Sequence, residues 1–287
     1  MKIKTIRKSD FPEKLKKIKN SPEKIFAIGN TNLLYEESFG IVGTRKISEY
    51  GIKNCTYFTQ ELVYRGIPIV SGMAEGTDSV AHKVALENRG KTIAVLGNGL
   101  GTIYPKENEE LFNSIIENDG LIITEYDYNT EPLKQNFPKR NRIVSALSEG
   151  ILVIEAAFRS GTSITVNYAK AQGKNVFALP GRLDNYLGVG VNKLIKEGAI
   201  FTTCIDDIIK NYPQFINRKR ISIDKKININ IKKEYMEVYN LLEEKELDLD
   251  DIVNSLDMEV IEILKIITNM EIDEVIKKDE RGIYKIL

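Results

Sequence analysis

Histidine and cysteine are scarce in this chain of 287 residues, which holds one histidine, His82, and two cysteines, Cys55 and Cys204. With no CxxC pair, a thiolate metal site and a disulfide scaffold are both excluded, and the cysteine usage is that of a reducing compartment, the cytoplasm. No run approaches the roughly 18 apolar residues that a membrane-spanning helix requires, so no membrane partner is expected. Residues 1–24 are basic but lack an apolar core, and so do not read as a secretory signal. No G-x-x-x-x-G-K-[ST] segment occurs, which excludes a P-loop nucleoside triphosphatase, and there is no internal repeat or low-complexity tract.

Net charge is missing as well, with 41 Lys+Arg against 41 Asp+Glu. The balance hides an asymmetry. Residues 1–231 carry 33 Lys+Arg against 25 Asp+Glu, whereas residues 232–287 carry 8 against 16. The larger part can face a polyanion; the tail is poorly suited to one. At 42% hydrophobic and 29% charged, the composition is that of a soluble globular protein with room for one large and one small domain.

What is present begins with short apolar runs separated by helical patterns. The runs are Phe39–Gly43, Ile67–Ser71, Thr92–Gly97, Leu121–Glu125, Ile151–Glu155, Asn175–Leu179 and Ala199–Phe201. Most lack polar alternation, as strands buried on both faces of a parallel sheet do. Helical patterns at Glu49–Tyr64, Asp78–Asn88, Lys106–Glu117 and Thr162–Gln172 fall between them. Strand–helix alternation predicts an α/β doubly wound, mostly parallel, Rossmann-like sheet over residues 36–212, with 1–35 as a lead-in. Ligands of such sheets bind at the carboxyl ends of the strands.

Short signals stand at those ends. Gly43-Thr44-Arg45 offers a close backbone approach and a guanidinium for a phosphate. Ser71-Gly72 opens a small-residue segment leading into a helix, and Ser160-Gly161-Thr162 precedes another; both suit an anion. Between them, Lys134, Lys139, Arg140 and Arg142 place four cations within nine residues, interleaved with Phe137, Asn136 and Asn141. Cations for the backbone with an aromatic and amides for bases is a single-strand-binding composition.

Other readings are weaker. Gly97-x-Gly99-x-Gly101 lacks the dinucleotide-binding spacing and reads as a turn. A triad of Ser71, His82 and Asp78 can be drawn, but no nucleophile elbow accompanies it. Neither a metal nor another cofactor is expected, since the ligands for one are missing. The serious alternative is a nucleotide-processing enzyme of the phosphoribohydrolase kind, with Glu155 drawn into catalysis beside Ser160-Gly161-Thr162; that family's Gly-Gly-x-Gly-Thr-x-x-Glu run is absent here.

In order, the segments IVGTRxxxxYG, SGMAEGTDxxAHxxAL, AVLGNGLGTIYP, FPKRNRIVSALSxG, EAxxRSGTSIT, VFALPG and LGVGVNKLIKEGA resemble the DNA-processing protein A (DprA, or Smf) family from about residue 11 to 210. The resemblance implies an extended Rossmann-like domain that binds single-stranded DNA without sequence preference and without catalysis. It also implies a homodimer through that domain, and delivery of a RecA-type recombinase to DNA in natural transformation. The site it implies is Arg45 and Lys134 with Ser71, Gly72, Arg140, Asn141, Arg142, Ser160 and Gly161, to which the strand-end segments add Gly43, Thr44, Phe137, Lys139 and Thr162. Arg45 is its phosphate grip, and Lys134, rather than Lys139, its pocket lysine. Two departures are Gly101, where family members often carry Asp, and Thr77, where they often carry Ile. Some members have a further N-terminal helical domain, for which residues 1–35 leave no room.

Residues 213–231 have no clear period and read as a linker. Residues 232–287 show apolar positions at i, i+3, i+4, i+7 three times: Tyr235, Val238, Tyr239, Leu242; Leu249, Ile252, Val253, Leu256; and Val260, Ile263, Leu264, Ile267. A hairpin is expected around Asp279–Gly282. Three helices and a hairpin predict a small winged helix-turn-helix, and the family resemblance extends to such a tail. Its third helix would present Asp257, Glu259 and Glu262 with Lys265 as the only cation, while the second adds Asp248, Asp250 and Asp251. Such a helix is not built to enter a DNA groove.

Overall fold

The computed structural model describes residues 2–158, 160–216, 218, 233–256, 258–273, 275–279 and 282–286. Its first unit, Met1–Ile223, is organised by a nine-stranded sheet. In chain order the strands are β1 (Lys4–Arg7), β2 (Lys24–Gly29), β3 (Ser38–Val42), β4 (Ile69–Ser71), β5 (Thr92–Val95), β6 (Leu121–Thr124), β7 (Ser148–Val153), β8 (Asn175–Ala178) and β9 (Ile200–Phe201). They lie side by side as β1-β2-β6-β5-β4-β3-β7-β8-β9. Strands β3 to β9 pair in parallel; β1 and β2 are antiparallel additions at one edge.

Helices cover both faces: α1 (Glu13–Lys16), α2 (Glu49–Val63), α3 (Thr77–Glu87), α4 (Glu109–Glu117), α5 (Asn136–Leu147), α6 (Thr162–Ala171), α7 (Tyr186–Lys196), α8 (Asp206–Ile209) and α9 (Pro213–Ile216). The strands feed two cores by strict alternation. Val42, Val70 and Val153 join Ile143 and Leu147 of α5, Val166 of α6 and Val191 of α7 on one face. Their neighbours Ile41, Ile69 and Leu152 join Phe58 of α2 and Ala81 of α3 on the other. Successive strand residues point to opposite faces, so unbroken Ile/Val runs are what a sheet covered on both sides demands. Each fully buried Leu, Ile or Phe contributes roughly 1.5–3 kcal/mol of transfer free energy.

The structure redraws two boundaries. Residues 1–35 are more than a lead-in: they carry β1 and β2, and β2 zips onto β6 with Ala27 opposite Ile123. Ile25 and Ala27 are buried, but the apolar stretch is too short to distinguish an edge strand from a turn by pattern alone. The expected linker does not start at 213, because Pro213–Ile216 is helical and Phe215 is buried against Tyr212, ring centroids 5.2 Å apart. Arg218 then pairs with Glu37 at 2.8 Å. Residues 219–231 lie outside the described ones.

The second unit, Asp224–Leu287, holds α10 (Met236–Glu244), α11 (Leu249–Ser255), α12 (Val260–Ile272) and a hairpin of β10 (Ile276–Lys278) and β11 (Tyr284–Ile286). Tyr235, Val238, Tyr239 and Leu242 enter its core as their spacing predicts. The third helix is rotated from expectation. Ile263, Ile266, Ile267 and Met270 are buried, whereas Val260 and Leu264 are 47% and 40% exposed. Both sets satisfy the same helical spacing, and packing against the other helices selects one of them. Asp257 falls outside the described residues.

Candidate nucleic-acid interface

The strand order reverses at β3, which has β4 on one side and β7 on the other. Loops leaving neighbouring strands at such a point diverge to opposite faces and open a crevice. Here the crevice is a cavity of about 570 Å³, walled by residues that follow β3, β4 and β7 and by the start of α5.

Its walls are held by backbone-directed hydrogen bonds. After β3, the Gly43 carbonyl accepts from the Thr162 hydroxyl at 3.0 Å and the Thr44 carbonyl from that of Thr77 at 3.1 Å. A β-carbon on Gly43 would lie 2.4 Å from the Thr77 hydroxyl, so this turn tolerates only glycine. After β4, the buried carboxylate of Asp78 accepts from the N–H groups of Gly72 (3.1 Å) and Ala74 (3.3 Å). Arg140 crosses beneath the loop and donates to the Gly72 carbonyl at 2.6 Å and to that of Val95. Burial pulls its guanidinium down to about 10, opposed by the Asp78 carboxylate; burial raises the Asp78 carboxyl, opposed by Arg140. Gly72 lies between the two side chains: a β-carbon there would sit 2.7 Å from each.

The aromatic element is Phe137, in the first turn of α5. The Arg45 guanidinium lies 5.8 Å from its ring centroid and that of Arg140 5.9 Å. Tyr104 tilts against it at 5.4 Å, and its edge packs on Gly97, where a β-carbon would be 2.8 Å away. Arg45 is exposed while Arg140 is buried, so the free face of the arginine–aromatic cluster opens into the crevice.

The structure sorts the sequence candidates. Gly43, Thr44, Arg45, Gly72, Lys134, Phe137, Arg140, Asn141, Ser160, Gly161 and Thr162 line the crevice. Ser71, Lys139 and Arg142 do not. The Ser71 hydroxyl is buried and donates to the Ile41 carbonyl at 2.6 Å. Arg142 is consumed by Glu125, forked at 2.5 and 2.7 Å, and by the Asn20 carbonyl at 2.9 Å. Arg140, though in the wall, spends its donors on backbone carbonyls and is a positioning residue. The physical reason is α5 itself: on a helix, cations at 139, 140 and 142 project in different directions, so composition overcounts the cations that reach a ligand. Also lining the cavity are Asp78, which the sequence offered only as a member of a drawn triad, and Tyr104, which stood in the GTIYP segment but carried no charge to draw notice.

The enzyme readings lose their residues. His82 is buried and bonds Thr92 Oγ1 at 2.6 Å. The Ser71 hydroxyl donates to the Ile41 carbonyl and the Asp78 carboxylate accepts from the Gly72 and Ala74 N–H groups, so no Ser71–His82–Asp78 relay is assembled. Glu155 is buried against Ser48, which donates from its hydroxyl at 2.6 Å and its N–H at 3.0 Å; it is absent from the crevice wall. Among the described residues, no helix is long and apolar enough to cross a membrane.

Fold and site together define a Rossmann-like protein with a cationic, aromatic-walled crevice at the switch point of its sheet. Residues 2–213 match the family model described as DNA recombination-mediator protein A. Protein Smf of Escherichia coli is 43% identical over 201 residues, 70% of this chain and 54% of that protein. DNA processing protein DprA of Streptococcus pneumoniae is 42% identical over 202 residues, 70% of this chain and 71% of that one. Its X-ray structure superposes with a TM-score of 0.69, covering 73% of this chain and 74% of that chain. DNA processing protein A of Helicobacter pylori, whose structure was solved for its single-stranded DNA binding mode, superposes with a TM-score of 0.66 at 32% identity, covering 73% and 94%. The chain belongs to the DNA recombination-mediator protein A (DprA/Smf) family. It spans about half the length of the Escherichia coli relative.

Proposed function

We propose that this protein binds single-stranded DNA without sequence preference, holding it in the crevice between β3, β4 and β7, and that it turns nothing over. The observation that carries the reading is the arrangement at Phe137. A half-buried aromatic ring offers a stacking face, an exposed arginine stands over it, and Lys134 and the Gly161–Thr162 turn complete an anion-facing rim. Stacking plus phosphate contacts is sequence-tolerant, because every base has a π face and every nucleotide a phosphate. An excess of 33 Lys+Arg over 25 Asp+Glu in residues 1–231 supports the same partner.

The finer reading follows the family: the protein shields incoming single strands, hands them to a RecA-type recombinase during transformation and recombination, and works in the cytoplasm as a homodimer through its sheet unit. The second unit, with three helices and a hairpin, is read as a winged helix that faces a protein rather than DNA. A phosphoribohydrolase-like activity finds no support, because Glu155 is engaged with Ser48.

The test is a titration of single-stranded and duplex oligonucleotides of equal length across a salt series. Tighter binding to mixed-sequence single strand, with a linear fall of log affinity against log salt, is the expected result. Preference for duplex, or release of free base from nucleoside monophosphates, overturns the reading.

A further inference from the structure

The LGVGVNKLIKEGA segment contributes nothing to the crevice, yet it builds a second cavity beside it. Gly190 of α7 rests on the loop after β7: its N–H donates to the Ala156 carbonyl at 2.9 Å, and a β-carbon there would lie 2.2 Å from that oxygen. Gly188 meets the Arg182 carbonyl equally closely. Only glycine allows this approach, and it sets α7 alongside α6 with a groove of about 410 Å³ between them.

The groove repeats the chemistry of the crevice. Phe158 in its wall is 51% exposed, and Lys193 stands 4.7 Å from its ring centroid, as Arg45 stands over Phe137. Lys170 lines the opposite side. One carboxylate, Glu197, faces them: Lys193 pairs with it at 3.4 Å and Lys170 donates to its backbone carbonyl at 3.3 Å. Among the described residues of the groove this is one cation in excess, beside an aromatic ring that is half exposed. The two cavities share Ser160 and Ile164 as wall residues, so they adjoin. At the join, the Ser160 hydroxyl is buried without a hydrogen-bond partner among the described residues, which is costly unless a ligand supplies one.

We propose that the single strand held in the crevice continues across Ser160–Gly161 into the α6–α7 groove, where Phe158 stacks a second base and Lys170 and Lys193 contact the phosphates beside it. This rests on the single-strand reading above and extends it to a second nucleotide subsite, so that α7 is part of the DNA track. An extended strand in contact with both aromatic platforms must be longer than one that fills the crevice alone, and length dependence separates the two subsites.

The experiment uses the full chain and fluorescently labelled oligothymidylates of graded length, titrated at several salt concentrations. For the longer strands, the double variant Lys170→Gln/Lys193→Gln lowers the salt slope by about 1.4, two contacts at about 0.7 each. Phe158→Ala weakens them by roughly 5- to 150-fold, the range for loss of one stacked base. Neither changes affinity for the shortest strand that the unaltered protein binds. Circular dichroism confirms folding. As an independent readout, 2-aminopurine placed along a long strand is quenched at two separated positions in the parent protein and at one in Phe158→Ala. Unchanged binding of long strands by both variants, or equal losses at every length, overturns the groove assignment. Arg45→Ala tests the crevice separately: if it alone leaves all lengths unaffected, the parent reading fails instead.

Discussion

Ser48 and Glu155 are locked together from distant parts of the chain: the serine hydroxyl donates to Oε1 at 2.6 Å and the serine N–H to Oε2 at 3.0 Å. The same hydroxyl accepts from the Gly51 N–H at 3.1 Å, as the N-cap of α2. Glu155 thus ties the end of β7 to the start of α2, a structural duty for the one carboxylate that an enzyme reading would need. Glu155→Gln offers one acceptor where two donors need partners, and is expected to lower stability by about 1–3 kcal/mol. Urea denaturation measures that loss. Single-strand affinity should stay within about twofold, and neither protein should release base from a nucleoside monophosphate.

If the crevice holds single-stranded DNA as proposed, Arg45 and Phe137 divide the binding energy by kind. Arg45→Ala removes a phosphate contact and should reduce the salt slope by about 0.7, alike for all sequences. Phe137→Ala removes stacking, costing roughly 1–3 kcal/mol with the slope retained. Anisotropy titrations over a salt series measure both, and an unaltered slope in folded Arg45→Ala would remove that residue from the site.

Arg142 illustrates the opposite case. Its fork to Glu125 is buried, with side-chain exposures of 8% and 18%. Arg142→Ala leaves the carboxylate uncompensated and should destabilise the fold by about 3–5 kcal/mol. Wherever the variant is still folded, its salt slope should match the parent's. A reduced slope would return Arg142 to the DNA site.

His82 makes stability depend on pH. Burial, followed by the nearby positive charge of Arg140, pushes its pKa down to about 3 from an ordinary 6.5. Between these values the unfolded chain binds the proton and the folded protein does not, so stability rises with pH across that window. It is complete above about 6.5 and lost as pH falls toward 3, at about 1.4 kcal/mol per unit. Urea denaturation at pH 7 and pH 5 should show a smaller difference in His82→Gln than in the parent. Equal differences would show that other groups set the dependence.

The acidic second unit is expected to be dispensable for single-strand binding. Glu262, Val260 and Ile261 are exposed on α12, as is Glu259 just before it, a surface suited to a protein partner rather than to phosphates. A chain ending after Arg218 should bind the same oligonucleotide within about tenfold, near 1.4 kcal/mol, at two salt concentrations. A larger loss in a folded, equally oligomeric protein would assign DNA contacts to the tail.

Much of the site was legible because its signals are local. Unbroken runs such as Ile151–Val153 announce strands buried on both faces, and the carboxyl-end rule then places Gly43–Arg45, Gly72 and Ser160–Thr162 around one crevice without coordinates. Glycines read as turn residues at 43 and 72 turn out to be forced by contacts at 2.4 and 2.7 Å, a requirement that a sequence records even where it does not explain it.

The doubly wound sheet, the family and the neighbourhood of the crevice are legible before folding is considered, since all three rest on periodicity and on short ordered segments. Tertiary contacts select which cations face the crevice. Arg142 and Glu125 are 17 residues apart, and nothing in the spacing foretells that they pair, any more than it foretells that Gly72 and Val95 claim Arg140. Likewise the periodicity of α12 permits two core faces, and contact with the rest of its unit chooses Ile266 and Met270 over Val260 and Leu264. A charge or an apolar side chain declares its chemistry in the sequence. Whether that chemistry is spent inside the protein or offered outside depends on the partner that folding brings opposite it.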